Sequence, residues 1–390
     1  MEYRRHKNFS ISELGLGTYG LGGSYGPVDI DQYKKTIQRA FELGVNFFDT
    51  AAAYGDAEQV LGETVRPFRD QVLIATKVGL RDGFRPNLSF EYIQSACENS
   101  LRELGTDMID LYQVHFDDPS TPVSETVEAL EQLVDQGKIR EYGLGHLPVL
   151  RIWEYTQIGS IYSVMMEFNA LSREAETELL PFCLEHNLAA IAFSVTGRGL
   201  LTGSITTIDK FDPGDIRSID PQFQRINFES GLRVAEKFDH LGKKYGKTAV
   251  QYAIAWALTK PGITCALTGP SSVQHLEENL GGAGWEIAQE DLAALDQFFL
   301  EEGQNRIQEL GNTVQKILNQ PLPEDPEQAL IDLVYASEGA IKLKYIRQED
   351  MLPIFLQLIE LRGKLDGHSY KTLAEIQQDL ASMIQTAENE

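Results

Sequence analysis

Short apolar runs alternate with amphipathic stretches from the N-terminus to about residue 285, and this alternation limits the fold more than any other feature of the chain. The runs fall at residues 13–17, 46–49, 72–77, 109–115, 140–145, 163–168, 189–194 and 265–269. Each is short, several are β-branched or aromatic, and most end in polar or glycine residues, as buried parallel strands do. Between them apolar residues recur at helical spacing. Tyr33, Ile37, Ala40 and Phe41 share one face, as do Ile93, Ala96, Leu101 and Leu104, and again Val123, Val127, Leu130 and Val134. Gly44, Gly105 and Gly137 close three of these stretches and suit left-handed caps. Strand and helix repeated eight times predict an α/β chain folded as a (β/α)8 TIM barrel. A doubly wound open sheet is the alternative; the count of eight and the length favour the barrel.

After about Phe299 the grammar changes. Helical patterns at 307–318, 328–343, 350–362 and 370–386 follow without a strand, the first two separated by a loop at 321–326. Leu352, Ile354, Phe355, Leu358 and Ile359 give one face enough apolar surface to pack. The expected organisation is therefore a barrel over 1–300 and a small all-helical extension over 301–390. That extension could pack over the barrel mouth, form an oligomer contact or bind a protein partner.

The net charge of −24 repels phosphate backbones and anionic membrane surfaces, so neither nucleic acid nor a membrane is an expected partner. No run is long and apolar enough to span a bilayer, and residues 1–10 are polar and basic rather than a secretory signal. Cys97, Cys183 and Cys265 are far apart, odd in number and set among apolar residues, which suits reduced packing residues. The expected location is cytoplasmic.

Barrel active sites lie at the C-terminal ends of the strands. The second run ends at Asp49 with Tyr54 just beyond, the third at Lys77 and the fourth at His115. Together these four can form one device. A free tyrosine titrates near ~10, and an ammonium beside it favours the phenolate. Lys77 supplies that ammonium and Asp49 holds the lysine. His115 hydrogen-bonds a substrate carbonyl oxygen, and Tyr54 protonates that oxygen as hydride reaches the carbon. Singly, each residue reads as a cap, a surface charge, packing or a structural histidine. Four such residues at three consecutive strand ends are not well explained that way.

The segments GVNFFDTAAAYGDAEQVLGE (44–63), LIATKVG (73–79), IDLYQVH (109–115), GRGLLTG (197–203) and SSVQHLEENL (271–280) resemble the aldo-keto reductase family over roughly residues 10–300. The resemblance places Asp49, Tyr54, Lys77 and His115 on the family's catalytic tetrad. It implies a nicotinamide cofactor extended across the barrel mouth and a usual preference for NADP(H) over NAD(H). It also exposes departures. Gly145 and His146 stand where the family commonly has a Ser-Asn pair for the nicotinamide amide, and Met165 stands where a Gln is common. Each lost hydrogen bond costs about 1 kcal/mol of cofactor orientation unless backbone or His146 replaces it. Phe193 fits the ring that stacks on the nicotinamide, where tyrosine is usual, with Ser194 beside it. The turn of Gly197, Arg198, Gly199, Leu200, Thr202 and Gly203 suggests backbone amides for the pyrophosphate, with Arg198 adding charge. Gly269, Ser271, His275 and Asn279 match the adenosine end. Many NADPH-using members carry arginine at the His275 position, and a guanidinium grips a 2′-phosphate better than imidazole, so NADH stays open.

Gly15, Gly17 and Gly20 satisfy GxGxxG, but 21–27 is again loop, so the Rossmann context is missing. The barrel reading has these glycines let the first loop pass close to substrate. No His, Asp or Glu pair has metal spacing, and the chemistry needs no metal. Tyr19, Tyr25 and Phe116 are candidate pocket residues for a small carbonyl or sugar substrate. Two competing readings remain. One is a cofactor-holding regulatory or interaction protein on a reductase scaffold. The other, suggested by GLGHLP (143–148), is an aldose dehydrogenase using NAD.

Overall fold

The computed structural model describes residues 1–80, 85–208, 211–212, 214–362, 365 and 369–389. It opens with an antiparallel hairpin, β1 (Tyr3–His6) and β2 (Phe9–Ser12). Eight strands then close into a barrel: β3 (Leu14–Gly17), β4 (Phe47–Asp49), β5 (Leu73–Val78), β6 (Ile109–Val114), β7 (Ile139–Gly145), β8 (Ser163–Glu167), β9 (Ala189–Phe193) and β10 (Ile263–Thr268). All neighbours are parallel, each strand pairs with the next along the chain, and β10 bonds back to β3. This is the (β/α)8 architecture that the alternation predicts.

The hairpin gives the polar, basic start of the chain a place in the fold. Lys7 turns the chain at φ +45°, which lets Phe9 and Ile11 bury in one apolar cluster with Phe47, Ala75, Leu111 and Met165 of the barrel interior. Side chain and backbone are exchanged between the hairpin and the barrel floor. Lys7 Nζ donates to Ile161 O just before β8 at 2.9 Å, Arg4 donates to Ile263 O at the start of β10 and to Leu258 O at the end of the helix Ala249–Leu258, and Tyr162 Oη donates to His6 O of the hairpin at 2.9 Å. The basic residues thus cap strand ends while the apolar ones plug the core.

The outer helices follow their sequence faces. Ile30–Glu42 is capped by Asp29, whose side chain accepts from Gln32 N, and buries Tyr33, Ile37 and Ala40. Phe90–Leu104 ends at Gly105 with φ +60°, the left-handed cap that the glycine predicts. Two of the glycines near the first loop have a packing reason to lack a side chain. A Cβ on Gly20 would stand 2.0 Å from Tyr33 Oη, and one on Gly15 would stand 2.6 Å from Leu267 Cδ2.

The chain divides into two compact units: 1–206 with 234–292, and 207–233 with 293–390. Position 300 falls inside the continuous helix Gln289–Asn319. In the second unit that helix is followed by Pro326–Lys342, Gln348–Arg362 and Ser369–Asn389. Val314, Leu333, Tyr335, Met351, Leu373 and Leu380 belong to its own buried core. Gly339 permits close helix approach, since a Cβ there would meet Val314 Cγ2 at 2.6 Å. The segment 207–233 is tied to these helices by Arg225 on Asp332 at 2.5 Å and by Arg233 and Ser230 on Glu302 at 2.9 and 3.0 Å. Among the described residues no helix is long and apolar enough to cross a membrane.

Candidate active site

Asp49 ends β4, Lys77 lies on β5, and His115 follows β6, so three neighbouring strands deliver these side chains to one end of the barrel. Tyr54 sits in the turn beyond β4, where its amide donates to Ala51 O and its carbonyl accepts from Ala57 N. Lys77 Nζ donates to Asp49 Oδ1 at 2.6 Å and to Thr50 O at 2.8 Å, and stands 4.9 Å from the centre of the Tyr54 ring. The His115 ring meets Tyr54 edge-on at 5.7 Å. The four residues read from strand ends are therefore brought together.

Their electrostatics differ from the sequence expectation in one respect. Burial pushes the Tyr54 phenol well above its ordinary value, and the Asp49 and Tyr19 charges add to the rise. The sequence reading has the Lys77 ammonium lower it. Desolvation of a phenolate exceeds what one ammonium, itself already neutralised by Asp49 at 2.6 Å, returns. Burial likewise raises the Asp49 carboxyl and lowers the Lys77 ammonium, and their mutual attraction offsets this only in part. His115 is pushed well below the usual histidine range by burial, then by Lys77 and His146, so its imidazole is neutral at pH 7.

Sequence reasoning missed three supporting groups. Thr50 contributes its carbonyl to Lys77. Glu58 is buried, takes the Thr76 hydroxyl at 2.5 Å, and is raised chiefly by burial. Gln113 lies fully buried inside the barrel, with Nε2 3.5 Å from Asp49 Oδ2. The available signal for Gln113 was its spacing: Leu111, Gln113 and His115 alternate, so an inward position in an apolar strand carries an amide.

Around the tetrad the mouth is lined by rings. Tyr19 meets Tyr54 edge-on at 5.1 Å and Tyr25 at 5.5 Å. Across the site Phe116 stacks on His146 at 4.5 Å, and His146 leans on Phe193 at 4.9 Å. His146 holds the left-handed region at φ +51°, and burial lowers its imidazole to about 4. Met165 pairs with Gly145 across β7 and β8 and is buried in the barrel cluster. A Cβ on Gly145 would come 3.3 Å from Val114 O, so a serine there would require the carbonyl of β6 to give by a few tenths of an ångström.

A model of the Aldo/keto reductase family matches residues 13–299. The chain belongs to the aldo/keto reductase family. Aldo-keto reductase YhdN of Bacillus subtilis is 34% identical over 304 residues, covering 75% of this chain and 91% of that protein. The NADH-specific methylglyoxal reductase of Escherichia coli is 31% identical over 306 residues, covering 73% and 93%. Among solved structures, the glycerol dehydrogenase of Gluconobacter oxydans superposes with a TM-score of 0.71 at 28% identity, covering 77% of this chain and 96% of that one. The chain is thus an NAD(P)H-dependent aldo-keto reductase.

The positions that the family assigns to cofactor are built unevenly here. Gly197, Arg198 and Gly199 hold successive left-handed conformations at φ +58°, +51° and +93°. Yet the amides of Gly197, Gly199, Leu200, Leu201, Thr202 and Gly203 donate to carbonyls within the same turn. The turn is therefore largely self-satisfied, and its charged side chain, Arg198, pairs with Glu167 at 3.3 Å. Ser194, at φ +55°, is fixed by Asn169 Nδ2 on its carbonyl at 3.0 Å. Gly269 follows β10 beside the end of β3, where a Cβ would be 3.7 Å from Gly17 O. Ser272 caps the helix Val273–Leu280, and Ser271 Oγ lies 3.2 Å from Nδ1 of the exposed His275. Asn279 is buried on that helix.

Proposed function

We propose that this aldo-keto reductase reduces a small aldehyde or ketone, with Tyr54 as the general acid. The observation that carries this is Lys77, bound to Asp49 at 2.6 Å and lying 4.9 Å from the centre of the Tyr54 ring, with His115 edge-on to the same ring at 5.7 Å. A bound nicotinamide supplies the hydride. The residues do the rest. Neutral His115 offers an N–H that orients the carbonyl oxygen, and Tyr54 Oη delivers the proton that neutralises it. Burial keeps the Tyr54 phenol protonated, the state that a proton donor needs. Phe193 and His146 would hold the nicotinamide by their ring faces, Arg198 would meet the pyrophosphate, and Ser271, His275 and Asn279 would receive the adenosine end.

The cofactor preference follows the same reasoning. The family's habit is NADPH, but His275 offers an exposed imidazole in place of a guanidinium, with Glu277 and Glu278 in the next turn. Both cofactors are therefore expected to serve, with a modest preference at most. The related methylglyoxal reductase and glycerol dehydrogenase point to small oxygenated three-carbon compounds as a first substrate panel. The competing regulatory reading requires that nothing in such a panel turn over. The decisive test is Tyr54→Phe, which keeps the ring and removes the proton donor. Turnover should fall about 10²–10⁴-fold with cofactor binding retained; turnover at the parent rate would show that another group delivers the proton.

A further inference from the structure

The barrel interior below the tetrad is apolar, with Phe47, Ala75, Leu111, Met165, Ile191 and Cys265 in one buried cluster. Gln113 breaks that layer. Its side chain is fully buried, and a buried amide is unfavourable unless its polar atoms find partners. Strand register places Lys77 of β5 beside Gln113 of β6, Gln113 beside Gly143 of β7, and Gly143 beside Ser163 of β8. The amide reaches both ways along this row. Nε2 faces Asp49 Oδ2 at 3.5 Å, and Oε1 faces Ser163 Oγ at 3.5 Å. The orientation is set by chemistry, since an ionised carboxylate only accepts. Gly143 makes the second contact possible, because a Cβ there would lie 2.2 Å from Ser163 Oγ. Asp49 is then bound through both oxygens, Oδ1 to Lys77 and Oδ2 to Gln113.

We infer that Gln113 is a positioning residue that, anchored by Ser163, fixes the Asp49 carboxylate and through it holds Lys77 against Tyr54. The inference rests on the reading of Tyr54 as general acid. An apolar residue of the same length would suit the surrounding layer at least as well, so the amide is explained by what it does for Asp49. Without it, the second carboxylate oxygen has no fixed donor, and the buried pair can pass a proton from Lys77 to Asp49 and become neutral.

Gln113→Met tests this, since it keeps length and volume and removes both contacts. The expected result is kcat lowered by about tenfold with KM within about twofold, the size of one hydrogen bond to a charged group. The pH profile of alcohol oxidation should move to higher pH, because a neutral lysine no longer favours the phenolate. A folded Gln113→Met protein with the parent's kcat and pH profile would overturn the inference. If that variant does not fold, Gln113→Glu decides. Its neutral acid can donate to Asp49 and its anion repels it, so activity relative to the parent should fall as pH rises through the glutamate's titration. A profile parallel to the parent's would count against the inference. Tyr54→Phe measured alongside separates the two levels. If Tyr54→Phe is inactive and the Gln113 variants behave like the parent, only the role of Gln113 fails; if Tyr54→Phe is active, both fall.

Discussion

The two sides of the barrel mouth are built on different terms. On β4–β6, Asp49, Lys77, Tyr54 and His115 touch one another, so each residue's geometry depends on the rest. On β7–β9, Gly145, His146, Met165 and Phe193 are joined by ring and packing contacts, and their expected partner is a cofactor. Within the first set, replacing either member of the Asp49–Lys77 pair alone strands a buried charge. A set that meets a ligand singly can drift, since each position contributes only about one hydrogen bond. This accounts for the intact tetrad beside altered amide positions.

Lys77→Met should break the first side hardest. Asp49 would be left buried and unpaired, with stability lowered by about 3–5 kcal/mol and turnover lost. Adding Asp49→Asn should restore most of the stability without activity. Equal melting temperatures for Lys77→Met and the double variant would mean that the pair is not coupled as described. On the other side, Gly145→Ser with His146→Asn should tighten cofactor binding by about tenfold or less, read by fluorescence titration. A loss of binding would instead assign His146 a hold on the cofactor that asparagine cannot supply.

Two smaller effects sharpen the contrast. His275→Arg should raise NADPH affinity about tenfold and leave NADH nearly unchanged. The acid response of His146 is the smallest. Its imidazole is lowered to about 4 in the folded state, against ~6.5 when unfolded. Between those values the unfolded chain binds the extra proton, so the contribution is full above pH 6.5 and is lost as pH falls toward 4. His146→Asn should therefore lessen the drop in stability between pH 7 and pH 5 by the order of 1 kcal/mol. Denaturant titrations at the two pH values measure it.

Much of this was legible in the chain itself. The eight strands fall within about two residues of the apolar runs, because burial on both faces leaves a continuous hydrophobic signature. The tetrad was readable because strand ends, once located, fix where side chains gather. The hairpin was missed because its buried residues, Phe9 and Ile11, alternate with polar ones over too few positions to stand out. The division near 300 falls within the continuous helix Gln289–Asn319, so no local signal marks the point where the two compact units part. That 207–233 groups with the C-terminal helices rests on pairs such as Arg225 with Asp332, which local patterns do not encode. The rise at Tyr54 was missed because desolvation depends on three-dimensional surroundings, whereas the lysine was visible as a letter.

The N-terminal hairpin has one more consequence. With Phe9 and Ile11 seated in the interior cluster, that end of the barrel is filled by side chains, so loosening the hairpin would open Phe47, Ala75 and Leu111 to water as surely as a cavity cut into the core.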